Sequence, residues 1–219
     1  MMRLTAAIIT FNEEKNIARC IESLLPVADE ILIVDSYSKD KTKEIALSYP
    51  NVRFVENPFE GHIQQKNVAL KLSENDWVLS LDADEALTDE LTKSILNIKS
   101  NPKLLGYEFN RLTYYCGHWV KHCGWYPDKK LRLVKKSNAE WRGVNPHDRL
   151  ELVDNSAIGF LQGDLLHYSY YTAEQHYKQI EYFGDIAAKE LFEKGKSTNY
   201  FTIYTKTIAQ FIKSFFIKL

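Results

Sequence analysis

Four short apolar runs, separated by residues at helical spacing, restrict what this chain can become more than any other feature. They are Leu4 to Thr10, Ile31 to Val34, Val52 to Val55 and Trp77 to Leu81. Each has strand length, and continuous apolar runs of this kind belong to strands buried on both faces. After the first, Asn12 can cap a helix with Glu13 and Glu14 in its positive first turn. Ile17, Cys20, Ile21, Leu24 and Leu25 then share one helical face until Pro26. Asp40 can cap a second helix through Ser48, Asn57 to Gly61 is loop chemistry, and Ile63 to Leu72 is helical by spacing. Strand–helix repetition predicts βαβ units: an α/β fold with a mainly parallel sheet flanked by helices. Right-handed crossovers would line up the carboxyl ends of the strands along one edge, where open α/β sheets take their ligands.

That edge has a distinctive chemistry. The first strand runs into Thr10-Phe11-Asn12, the second ends at Asp35, and the fourth is followed by Asp82-Ala83-Asp84. Each acid alone could be a solvated turn residue or a helix cap. Convergence of several on one edge predicts a site. Two carboxylates one residue apart offer oxygen ligands to a hard cation such as Mg²⁺ or Mn²⁺, which commonly shares its shell with substrate phosphates. No Gly-x-Gly-x-x-Gly follows the first strand and no Walker A sequence is present, so dinucleotide-binding and P-loop readings are disfavoured. A net charge of −1 gives no support to a nucleic-acid partner. Three cysteines suggest no disulfide framework, and no apolar stretch is long enough to span a bilayer. The opening residues turn polar at Asn12 before a secretory core could complete, so a cytoplasmic location is expected.

Together these motifs resemble family 2 inverting glycosyltransferases with the GT-A fold. The resemblance is carried by Thr10-Phe11-Asn12-Glu13-Glu14, by Val34-Asp35-Ser36-Tyr37-Ser38-Lys39-Asp40 and by Asp82-Ala83-Asp84. Gly124-Trp125-Tyr126-Pro127-Asp128, followed by Leu131-Arg132-Leu133, is similar to the subgroup typified by lipopolysaccharide-core β-1,4-glucosyltransferases. The resemblance implies that Thr10, Asn12, Glu14 and Asp35 hold the nucleoside of a nucleotide-diphosphate sugar, with a UDP-sugar as the expected donor. It implies that Asp82 meets ribose or metal and Asp84 ligates Mg²⁺ or Mn²⁺, with His147 as a further candidate ligand. Lys66 would offset diphosphate charge. Asp148 is the candidate catalytic base, with Asp128 as the alternative. The stretch Val144 to Leu150 departs from the subgroup's commoner Val-His-Glu form, carrying Asp in place of Glu. Trp125, Tyr126 and Asp128 are the expected acceptor contacts.

Such chemistry needs a carboxylate to take the acceptor proton and a metal to neutralise the departing diphosphate. It needs no enzyme nucleophile. The compact run Cys116 to Cys123 lacks the two separated ligand pairs of a structural zinc site and reads as an acceptor-facing loop in which Trp119, Trp125 and Tyr126 offer faces to a sugar. A single catalytic domain is expected over 1–170, with a nucleotide-sugar half at 1–105 and an acceptor half at 106–170. C-terminal helices follow over 171–219. Phe201, Tyr204, Ile208, Phe211, Ile212, Phe215, Phe216 and Leu219 recur at helical spacing, with Lys206, Lys213 and Lys218 off the stripe. This pattern suits a helix lying in a membrane surface or packed against protein. The resemblance implies a lipid-linked saccharide acceptor, lipopolysaccharide core or related, at the inner face of the cytoplasmic membrane, reached through 200–219. The stripe runs to the last residue, as expected if the chain is a piece of something longer. A homo-oligomer is left open. Two rival functions share this kind of sheet. A sugar-nucleotide nucleotidyltransferase would carry a glycine-rich loop after the first strand, absent here. A non-catalytic glycan- or membrane-binding protein would not need acids at every strand end.

Overall fold

The computed structural model describes residues 2–144, 147–154 and 156–218, with the backbone alone at 147, 190 and 217. The first half alternates as expected. Strand β1 (Leu4–Thr10) leads to α1 (Ile17–Leu24), β2 (Glu30–Asp35), α2 (Thr42–Leu47), β3 (Val52–Glu56), α3 (His62–Leu72) and β4 (Trp77–Asp82). After β5 (Glu85–Leu87) and α4 (Asp89–Lys99), the second half is dominated by strands. These are β6 (Gly106–Tyr115), β7 (His118–Val120), β8 (Asp128–Lys135), β9 (Ala139–Val144), β10 (His147–Leu152) and β11 (Ile158–Tyr170). Helices α5 (Ala173–Glu193) and α6 (Tyr200–Ile212) close the chain, and α6 runs into a π-turn over Lys213–Ile217.

The main sheet runs β3-β2-β1-β4-β8-β6-β11-β5, with β7 paired to β6. Its β3-β2-β1-β4 half is parallel, and β8 joins it antiparallel to both β4 and β6. Alternation on β1 shows why its run is mostly apolar. Leu4, Ala6 and Ile8 face a core shared with Ile17, Ile21 and Leu24 of α1, whereas Ala7 faces a second core containing Ala69 and Leu70 of α3. Both faces are covered, so a polar side chain needs a partner, as buried Thr5 has in Glu30 and Asn75. Register then fixes the edge: Thr10 lies opposite Asp35, and Ile9 opposite Asp82.

A separate hairpin, β9–β10, sits over α3. Asn67 clips it there, its side chain donating to the Trp141 carbonyl and accepting from Trp141 N, both at 2.9 Å. On β11 the register shifts between Phe160 and Asp164, and α4 approaches so closely that a Cβ on Gly163 would lie 2.2 Å from Leu91 N. The caps differ from expectation in two places. Lys41, not Asp40, precedes α2, although Asp40 Oδ1 still accepts from Thr42 N at 3.0 Å. Asn16, not Asn12, precedes α1, because Asn12 adopts φ 56° and turns its side chain toward the loop after β2.

Candidate active site

An open cleft of about 1380 Å³ lies over the carboxyl edge of the parallel strands. That exceeds the volume of about 300–1,000 Å³ usual for a small-molecule pocket. Its walls combine Thr10, Lys66, Asp82 and Asp84 from the first half with Arg132, Trp141 and Asp148 from the second. The Asn67 clip explains how distant segments meet. It seats the β9–β10 hairpin on α3 and so brings Asp148 against Lys66, 2.8 Å from carboxylate to ammonium. Lys66 Nζ also lies 3.2 Å from Asp82 Oδ1 and 4.4 Å from the centre of the Trp141 ring.

A second cation completes the centre. Arg132 Nη2 lies 3.2 Å from Glu85 Oε1 and 3.5 Å from Asp82 Oδ2. Burial by itself would raise the Asp82 carboxyl, but Lys66 and then Arg132 hold it well below the usual carboxylate range. Asp84 is separated from this pair and faces His167 Nε2 at 3.2 Å. Burial disfavours charge on His167, yet Asp84 outweighs it and raises the imidazole above its ordinary value. Among the described residues no group of three or more His, Cys, Asp or Glu is arranged to hold a metal. Asp82 and Asp84 both line the cleft, and carboxylate oxygens are the donor type that a hard cation takes. The His147 side chain lies outside the described residues.

The other sequence-predicted residues separate into groups. Thr10 lines the cleft, and its Oγ1 is buried without a partner among the described residues. Asp35 is buried and accepts from Ser38 N at 2.8 Å and from the Ser38 hydroxyl. Asn12 and Glu14 stitch the loops after β1 and β2 together: Lys39 N donates to Asn12 Oδ1 at 2.7 Å and Lys41 N to Glu14 Oε2 at 3.1 Å. Trp125, Tyr126 and Asp128 are not brought into the cleft wall. Trp125 packs edge-on against Tyr115, Tyr126 donates to Asp164, and Asp128 is held by Arg111 at 2.9 Å and Lys130 at 2.9 Å. Trp119 is likewise edge-on against Tyr114 and Tyr168. The segment from 116 to 126 is held elsewhere: β7 folds back on β6, Cys116 N donates to the Tyr170 carbonyl on β11 and Trp125 lies edge-on to His176 of α5. The rings that do reach the cleft include Phe59, Trp141, Tyr170 and Tyr182.

Residues 5–106 match the model for Glycosyl transferase family 2. An uncharacterized glycosyltransferase of Rickettsia typhi is 32% identical over the whole of this chain, which covers 78% of that protein. The chain belongs to glycosyl transferase family 2. This glycosyltransferase is also 27% identical to the lipopolysaccharide core biosynthesis glycosyltransferase LpsC of Rhizobium meliloti, over 97% of this chain and 80% of that one. Among solved structures, S. aureus TarS 1–349 superposes with a TM-score of 0.56 at 18% identity, across 81% of this chain and 63% of that chain. The complex of that protein with UDP-GlcNAc gives 0.57 at 18%, across 76% and 58%. These likenesses show the GT-A fold.

Several cleft residues of the glycosyltransferase were not anticipated. Arg132 carried a signal, since a charge inside the apolar run Leu131-Arg132-Leu133-Val134 needs a buried partner. Glu13 carried none. It lines the cleft half-buried, and burial pushes it up from 4.5 to about 7, with Asp84 the next contributor and the Asn16 hydrogen bond opposing. A carboxyl raised in the folded state binds protons that the unfolded state has released. Stability therefore falls as pH rises from about 4.5 through about 7. Glu13→Gln should raise stability at pH 8 by up to about 3 kcal/mol, and by much less at pH 4.5. Metal-free thermal denaturation at both pH values checks this; an equal gain at both would remove Glu13 as the titrating group.

Proposed function

We propose that this glycosyltransferase moves a hexose, with inversion, from a nucleotide-diphosphate sugar, a UDP-sugar first, to a saccharide of the cell envelope, lipopolysaccharide core or a related lipid-linked glycan. The observation that carries the reading is the Lys66 ammonium between Asp82 and Asp148. It joins an acid of the nucleotide edge to an acid of the second half inside one cleft. In this reading 1–105 binds the donor and 106–170 builds the acceptor side. Thr10 and Asp35 meet the nucleoside, Asn12 and Glu14 keep the loops around it in shape, and Asp82 meets ribose. Asp148 takes the acceptor proton as the acceptor oxygen attacks the anomeric carbon. Asp128 is the weaker alternative because Asp148 lines the cleft and Asp128 does not. Asp84, with Asp82, would hold Mg²⁺ or Mn²⁺, whose chemistry is to neutralise the departing diphosphate. Lys66 adds a fixed positive charge beside it. Similarity to LpsC supports the envelope acceptor. Incubation with a panel of UDP-sugars, with Mn²⁺ or EDTA, tests the reading: metal-stimulated release of UDP is expected, and no release from any donor would count against it.

The tail fits work at a membrane surface. No described helix is long and apolar enough to cross a membrane. On α6 and the π-turn, Phe201, Tyr204, Ile208, Phe211 and Phe215 are all exposed, and they share one face. Lys206 and Lys213 lie on the other. An exposed aromatic face with flanking cations suits the inner surface of the cytoplasmic membrane. Deleting Tyr200 to Leu219 should cut sedimentation with anionic liposomes at least several-fold, and unchanged partitioning would assign the face to protein packing instead.

A further inference from the structure

Four of the five buried side-chain polar atoms without a hydrogen-bond partner among the described residues belong to cleft residues. They are Thr10 Oγ1, Arg132 Nε, Arg132 Nη1 and Trp141 Nε1. Folded proteins pair most of their buried polar atoms, so such a concentration calls for an explanation. Three of the four atoms are N–H groups that can only donate. They lie on adjacent side chains, with the Arg132 guanidinium carbon 5.0 Å from the centre of the Trp141 ring. Arg132 is only 4% exposed, and Glu85 and Asp82 engage its Nη2 alone. A buried, donor-only corner beside a second cation, Lys66, is matched by an acceptor-only anion.

We propose that Arg132 and Trp141 form an oxyanion subsite that receives the diphosphate of the donor. The inference rests on the nucleotide-sugar reading and adds to it two residues with a stated role. Arg132 donates through Nε and Nη1 to diphosphate oxygens, and Trp141 donates through Nε1. Arg132 and Lys66 each lie against the Trp141 ring, 5.0 Å and 4.4 Å from its centre. During transfer the acceptor oxygen forms its bond to the anomeric carbon while the bond from that carbon to the β-phosphate oxygen breaks. The electron pair of the broken bond stays on the diphosphate, and the acceptor proton passes to Asp148. Arg132 and Trp141 stabilise the charge left on the leaving group, a placement of donors where charge develops. Glu85 fixes the guanidinium without using the two free donors.

The test compares uridine, UDP and inorganic pyrophosphate by isothermal titration calorimetry, each in EDTA and with Mn²⁺, at fixed ionic strength. The proteins are wild type, Arg132→Lys, Arg132→Met and Trp141→Phe. Trp141→Phe keeps an aromatic face and removes only the N–H. Affinity for UDP and pyrophosphate should fall about tenfold in Arg132→Lys and Trp141→Phe and about 10²-fold in Arg132→Met, in line with hydrogen bonds to charged groups. Uridine affinity should not change. If Arg132 variants fail to fold, Trp141→Phe decides. A folded Trp141→Phe or Arg132→Lys that binds UDP and pyrophosphate as tightly as wild type overturns the subsite and leaves the nucleotide-sugar reading standing. A loss of uridine binding equal to that of UDP assigns the pair to fold support and also overturns it. If wild type binds none of UDP, GDP, CDP or dTDP, the nucleotide-sugar reading falls and the subsite falls with it.

Discussion

Asp148→Asn should lower the rate of sugar transfer by about 10²–10⁴-fold, the usual contribution of a positioned general base, while nucleotide stays bound at least as tightly as in wild type. Asp148 is the nearest anion to the Lys66 ammonium, at 2.8 Å. Removing its charge leaves Lys66 with Asp82 and with whatever phosphate enters the cleft. The amide still fits between α3 and β10, so the hairpin should stay clipped by Asn67. Single-turnover transfer and UDP titration read the two quantities separately. A fall in rate accompanied by an equal loss of UDP affinity would give Asp148 a binding role rather than a proton-accepting one. Retained activity would move the base elsewhere, and Asp128→Asn would then be the next variant to measure.

The parallel half of the fold was legible in sequence because β1, β2 and β4 are buried on both faces and so leave largely apolar runs. Their order on the sheet follows from short right-handed crossovers, and with it the meeting of Thr10, Asp35 and Asp82 on one edge. The acceptor half was less legible. Its strands pair across long sequence distances, as β6 does with both β8 and β11, and alternation along a strand does not say which neighbour covers which face. Ring-rich sequence at 119–126 reads as a sugar platform, whereas Trp119 packs on Tyr114 and Tyr168 and Trp125 packs on Tyr115. Trp141, the ring that reaches the buried cations, sits in the unremarkable run Ala139 to Val144. Asn12 and Glu14 show a related limit. Polar loop residues at a ligand edge can point at ligand or at the next loop, and the choice depends on φ at Asn12.

Lys66→Met should destabilise the protein by about 3–5 kcal/mol, the scale for removing one partner of a buried ion pair. For a domain of this size that corresponds to a fall of roughly 10 °C in Tm. Lys66 is 6% exposed and lies between two carboxylates. Methionine fills much of its volume but supplies no charge, and Asp148 is then left without its 2.8 Å partner. Asp82 keeps Arg132 at 3.5 Å. The double variant Lys66→Met with Asp148→Asn should recover most of the loss, because the uncompensated charge is gone and the two substitutions act on one contact. A pH series gives an independent check. A carboxyl depressed in the folded state contributes stability above its unfolded pKa, about 3.9 for Asp, and that stability is lost as pH falls further. Asp82 is depressed by Lys66 and Arg132 against the effect of burial. The gap between wild type and Lys66→Met should therefore be full at pH 7 and shrink only below the ordinary aspartate range. If the double variant is no more stable than Lys66→Met, the cost lies in packing against Trp141 rather than in the bare charge, and the ion-pair account of this centre is wrong.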